Sequence, residues 1–177
     1  MRERDGYMDS NRAVEQETPG TAREQNSLPR PEASPARVLF VCTHNSARSQ
    51  MAEAILRHLG GDSVEAYSAG SEPSRVHPDA ISTLENLGIS TAGLTSKHLG
   101  EFAGQDFDYV ATVCDSAKET CPVFPGHPTQ LHWSFPDPSA ITHEAARLQT
   151  FHAIASELTE RCAGLVAEIE GNAGPVS

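Results

Sequence analysis

Residues 37–53 read Arg-Val-Leu-Phe-Val-Cys-Thr-His-Asn-Ser-Ala-Arg-Ser-Gln-Met-Ala-Glu, and the join inside this stretch decides the fold. The apolar run Val38–Val41 predicts a buried strand. Met51, Ile55 and Leu59, spaced four apart, predict the buried face of a helix over about residues 46–60, with Ser46 or Ser49 as its cap. Between them Cys42 and Arg48 bracket Thr43, His44, Asn45, Ser46 and Ala47, five small or polar residues that must form a strand-to-helix loop. At such a loop successive backbone N–H groups and the positive end of the helix converge on one point, which suits a tetrahedral oxyanion such as phosphate, arsenate or sulfate. The same field favours a thiolate, so Cys42 is expected to ionise well below an ordinary cysteine. Arg48, a fixed planar cation, can grip two oxygens at once.

The rest of the chain limits what this loop can serve. The 177 residues carry a net charge of −11, with five of the 13 basic and seven of the 24 acidic residues in positions 1–36, leaving −9 to residues 37–177. An acidic surface is a poor match for nucleic acid or anionic lipid, so anion binding has to be local. Residues 1–36 contain only Val14 and Leu28 as large aliphatics, together with four prolines and mixed charge, and are expected to be a disordered extension. The folded domain is expected over 37–171 and a short tail over 172–177. No signal-like or membrane-length apolar run occurs, which predicts a cytoplasmic protein. In that setting the four cysteines argue for reactivity, metal binding or burial rather than a static disulfide framework.

Strand-like runs recur at 37–41, 64–68, 109–113 and 129–133, with helical patterns at 46–60 and 78–88 and a weaker one near 97–104. A long or once-broken helix is expected over 139–170, ended by Gly171 and Pro175, with Phe151, Ile154, Leu158, Cys162, Leu165 and Ile169 on its buried face. Alternation of this kind predicts an α/β fold of three layers, a four-stranded parallel sheet flanked by helices. Ligands gather at the carboxyl ends of such strands, where Cys42, Ser68-Ala69-Gly70, Cys114 and the segment after Trp133 all fall.

Asp137, between Pro136 and Pro138, offers a carboxyl that can act as a general acid toward a leaving oxygen, or else cap a turn ahead of Ser139. Cys114 and Cys121 are separated by six residues, a spacing that matches no common zinc pattern even with His127 and His132 nearby, so no metal site is expected. If 115–120 is helical, those two sulfurs start too far apart to bond, and oxidation requires the segment to rearrange. Cys162 reads as core.

Taken together, the stretch from Cys42 to Glu53, Tyr67-Ser68-Ala69-Gly70, Cys114 with Cys121, and His132-Trp133 followed by Asp137-Pro138 resemble the thioredoxin-coupled arsenate reductases, which share the low-molecular-weight protein tyrosine phosphatase fold. The resemblance covers about residues 37–170. It implies that the Cys42–Ser49 loop binds arsenate, that Cys42 attacks arsenic, and that Asp137 protonates the departing oxygen. It further implies a Cys42–Cys114 disulfide, then a Cys114–Cys121 disulfide reduced by thioredoxin, with no other cofactor. Ser49 matches the residue that hydrogen-bonds the nucleophile and Asn45 the one that braces the loop. Some relatives bind a potassium ion near the loop. Asn45, Glu53 and Ser68 match part of that site, but Lys97 stands where a carboxylate is supplied, which argues against the ion.

Two rival readings stay open at the level of sequence. A low-molecular-weight protein tyrosine phosphatase would use the same loop and Asp137, though it needs no Cys114–Cys121 pair and carries an aromatic where this chain has Ser139. A non-catalytic oxyanion-binding or redox-sensing protein would bind without turnover. Three cysteines suit thioredoxin as reductant, while a glutathione-type route would use Cys42 with only one further cysteine.

Overall fold

The computed structural model describes residues 34–116 and 123–172. Four parallel strands form one sheet: β1 (Ala36–Cys42), β2 (Val64–Gly70), β3 (Tyr109–Thr112) and β4 (Thr129–His132), in the order β2-β1-β3-β4. Its centre is β1, whose Val38–Cys42 are almost wholly buried, as a strand covered on both faces requires. Register fixes the site: Cys42 lies opposite Gly70, and Val41 lies opposite both Ala69 and Thr112.

Alternation along the strands sorts the two faces. Phe40 and its register partner Ser68 face the helical layer, where Ser68 meets Glu53 of α1 (Arg48–Gly60) and α1 packs on the long helix α3 (Glu144–Asn172). Tyr67 faces the other way, into an aromatic cluster in which Phe107 contacts Tyr67, Phe102 and Phe124 edge-on with ring centroids 5.6–6.0 Å apart. Burying Met51, Ile55 and Leu56 from α1 with Phe151, Leu158 and Cys162 from α3 contributes about 1.5–3 kcal/mol for each large side chain. Helix α2 (Pro78–Asn86) packs beside α1 and α3.

The structure corrects several expected boundaries. Helix α1 starts at Arg48 behind Ala47, and no side chain caps it, because Ser49 is committed to the loop described below. The weak pattern near 97–104 yields only a 3-10 turn at Leu99–Phe102. There His98 and Glu101 form a reciprocal capping box, and Gly104 at φ 78° closes the turn before a helix can propagate. Helix α2 stops at Asn86 because Gly88 turns left-handed at φ 72°. The segment 139–143 is not part of α3: Pro138–Ala140 is a 3-10 turn, and α3 begins at Glu144 and runs through Gly171. The expected extension up to Ala33, Cys121, and the tail from 173 lie outside the described residues. No helix among the described residues is long and apolar enough to cross a membrane.

Candidate functional site

The loop from Cys42 to Ser49 is held from outside by its carbonyls. Thr43, His44 and Ser46 accept from the backbone N–H groups of Glu72, Ser74 and His77, at 2.8–3.1 Å. A trans peptide points its N–H opposite its C=O, so tying these carbonyls outward turns the N–H groups of His44, Asn45 and Ala47 inward. The Asn45 N–H donates to Cys42 Sγ at 3.1 Å. Gly70 packs against this turn so closely that a Cβ there would meet the Thr43 carbonyl at 2.5 Å.

Asn45 is the keystone. It adopts φ 47°, a left-handed conformation that asparagine tolerates better than most residues. Its amide is fully satisfied: Nδ2 donates to Ser49 Oγ and Ser68 Oγ, both at 2.9 Å, and Oδ1 accepts from the Lys97 backbone at 2.7 Å and from Gln50 Nε2 at 2.9 Å. Ser49 Oγ in turn lies 2.9 Å from Cys42 Sγ. The chain Ser68–Asn45–Ser49–Cys42 is buried throughout.

Burial pushes the Cys42 thiol above its ordinary value, outweighing the hydrogen bonds of Ser49 and Asn45 and the charge of Arg48, all of which lower it. The expected depression is therefore corrected: Cys42 is only 2% exposed, and its desolvation outweighs the donors that the loop aims at the sulfur.

Arg48 is buried and donates to the Phe135 carbonyl at 3.0 Å, with its other terminal nitrogen 3.6 Å from Asp137 Oδ1. Asp137 accepts from Ser139 N at 3.1 Å, so it takes the capping position at the 3-10 turn, and its carboxylate lies 3.6 Å from Arg48 beside the loop. Between them opens a cleft of about 370 Å³ lined by Thr43, His44, Arg48, Cys114 and Asp137. Cys114, buried, brings its sulfur to 3.6 Å from Thr43 Oγ1. Thus Arg48, Cys114 and Asp137 share one cleft with Thr43 and His44, the two residues that follow the buried Cys42, while Cys121 lies outside the described residues. His44 stands exposed with Nε2 3.9 Å from Glu72. Cys162 is core, its thiol pushed up to about 12 by burial.

Glu53, nearly buried, accepts from Ser68 Oγ and from Arg57, and Lys97 Nζ lies 3.3 Å from the same carboxylate. The ammonium thus shares with Ser68 the same Glu53 oxygen and also donates to the Thr95 carbonyl at 2.8 Å. Among the described residues no group of three or more His, Cys, Asp or Glu side chains is arranged to hold a metal ion.

The strap of residues 72–77, the Gln50 amide and the Phe135 carbonyl were not anticipated from sequence. They act through backbone atoms or through a glutamine on a helix, and such contacts carry no residue-type signal.

Comparison with known proteins places these features in context. Residues 37–174 match the family described as low molecular weight phosphotyrosine protein phosphatase. The glutaredoxin arsenate reductase of Synechocystis is 35% identical over 133 residues, 75% of this chain and 98% of that protein. The arsenate reductase of Bacillus subtilis is 34% identical over 125 residues, 70% of this chain and 90% of that one. The structure of the Corynebacterium glutamicum thioredoxin-dependent arsenate reductase superposes with a TM-score of 0.61 at 32% identity, covering 79% of this chain and 65% of that one.

Proposed function

This chain belongs to the low molecular weight phosphotyrosine protein phosphatase family, and from that premise we propose that it is an arsenate reductase, forming arsenite through Cys42 and a relay of thiols. The observation that carries this reading is the second sulfur: Cys114 opens onto the same cleft as Arg48 and Asp137. Hydrolysis of a phosphate ester needs no second thiol beside the nucleophile.

Arsenate is held by the inward N–H groups of the loop and by Arg48, donors fixed before the ligand arrives and aimed at its oxygens. The Cys42 sulfur bonds to arsenic as an As–O bond breaks, and the oxygen leaves as water with a proton from Asp137. Ser49, the Asn45 N–H and Arg48 favour the thiolate that this step requires. The Cys114 sulfur then bonds to the Cys42 sulfur and the S–As bond breaks. Its electron pair stays on arsenic, so As(V) leaves as As(III) while two thiols become a disulfide. Cys121 attacks Cys114 in turn, freeing Cys42.

The reductant is proposed to be thioredoxin. A third cysteine seven positions beyond Cys114 allows the disulfide to move away from the loop, and the Corynebacterium relative is thioredoxin-dependent. The Synechocystis relative is named for glutaredoxin, and that route needs only one cysteine besides Cys42.

Arsenite formation with thioredoxin, thioredoxin reductase and NADPH tests the proposal. Turnover by the wild type and its loss in each of Cys42→Ser, Cys114→Ser and Cys121→Ser are the expected results. Full turnover of Cys121→Ser with glutathione and glutaredoxin would replace the three-cysteine relay. Cys42-dependent, Cys114-independent hydrolysis of an aryl phosphate without arsenate reduction would make the chain a phosphatase.

A further inference from the structure

His132 and Thr112 are register partners at the carboxyl ends of β4 and β3. Thr112 Oγ1 lies 2.7 Å from His132 Nδ1, and His132 Nε2 lies 3.1 Å from Asp115 Oδ1. Asp115 is the residue bonded directly to Cys114. We propose that His132 is a positioning residue for the relay: by holding Asp115 it orients the Cys114 sulfur for attack on Cys42. The inference rests on the arsenate reductase reading for the step it serves.

The anchor is rigid. The ladder continues past β3 and β4 through Val113 N–H to the Val41 carbonyl at 2.9 Å and Trp133 N–H to the Thr112 carbonyl at 2.8 Å, so the backbone on both sides of the ring is fixed. The contact also survives a change of protonation. With a neutral ring, the Thr112 hydroxyl donates to Nδ1 and Nε2–H donates to Asp115. With a protonated ring, Thr112 Oγ1 accepts from Nδ1–H and turns its own hydrogen to the Leu131 carbonyl at 3.4 Å, leaving Nε2–H on Asp115.

A structural role alone does not account for this arrangement. The Asp115 side chain is 80% exposed, and a contact so open to water contributes little to folding. What it fixes is direction. The chain enters Cys114 from the sheet, and Asp115 is the first point beyond the sulfur, so its carboxylate sets how residue 114 leaves the strand. A nucleophile displaced by about 1 Å can lose on the order of a hundredfold in rate.

Single-turnover release of arsenite from the prereduced full chain tests the clamp. His132→Ala is expected to slow release on the order of tenfold, with inhibition by inorganic phosphate and Tm unchanged. His132→Gln, whose amide can still donate to Asp115, is expected to recover most of the rate. In parallel, diamide-driven formation of the Cys42–Cys114 disulfide in a Cys121→Ser background should slow in His132→Ala and recover in His132→Gln. Equal disulfide rates with and without His132, failure of the Gln variant to recover, or a matching loss of phosphate binding would overturn the proposal. An absence of arsenite from the wild type would count against arsenate reduction itself, and the diamide rates would still decide the clamp.

Discussion

Ser49 Oγ lies 2.9 Å from Cys42 Sγ and equally 2.9 Å from the Asn45 amide, so one hydroxyl links the nucleophile to the residue that holds its loop. The hydroxyl cannot cap helix α1 because it is spent on the sulfur. Replacing Ser49 by Ala removes one hydrogen bond to a developing thiolate and leaves a buried Asn45 N–H with one partner fewer. Loss of a bond to a charged group costs about 1.5–3 kcal/mol, so kcat for arsenate is expected to fall about tenfold or more with KM little changed. Steady-state kinetics of the variant check this. An unchanged kcat would show that Ser49 does not support the thiolate.

Burial raises the Cys42 thiol, and its sign has a kinetic consequence. The reactive thiolate grows as pH rises through the folded value, which burial lifts above that of an ordinary thiol, so alkylation by iodoacetamide should keep accelerating well into alkaline pH. Cys162, pushed up to about 12, should stay unlabelled across that range in the native state. Mass spectrometry of labelled peptides measures both. Saturation of Cys42 labelling near neutral pH would mean that the loop's N–H groups and helix end outweigh burial.

Lys97 sits against Glu53, one hydrogen bond removed from Ser68 and two from Asn45. An internal ammonium there leaves no need for an added cation, so Tm should be the same in potassium and sodium chloride at equal ionic strength. Lys97→Gln removes the charge from a nearly buried carboxylate that Arg57 still partners, and should lower stability by about 1–3 kcal/mol. Thermal melts in the two salts decide it. A potassium-specific rise in the wild type would contradict the account.

Much of this was legible before the structure. Val38–Val41 followed by a cysteine, small residues and a helical stripe dictated the strand, loop and helix, although of Met51, Ile55 and Leu59 only the first two are buried and Leu56 takes the place expected of the exposed Leu59. The other three strands followed from the same signals, and the order β2-β1-β3-β4 places their carboxyl ends around the loop. What sequence could not give was set by tertiary contact. Helix α1 loses its serine cap because Ser49 has a better partner in Cys42, and the weak helix near residue 100 yields to His98, Glu101 and a left-handed Gly104. Cys42 was misjudged because the pattern revealed the donors aimed at its sulfur but not how completely the loop closes over it. Asp137 caps its turn and also lies beside Arg48, a placement set by the fold that no spacing could give.

The most direct test of the central claim, that Cys42 and Cys114 together surrender two electrons to arsenate, is one turnover of the prereduced Cys121→Ser variant without reductant. The account predicts one arsenite released per chain and a Cys42–Cys114 linkage in the non-reduced peptide map. Free thiols at both positions and no arsenite, with an aryl phosphate hydrolysed continuously by the same sample, would contradict it.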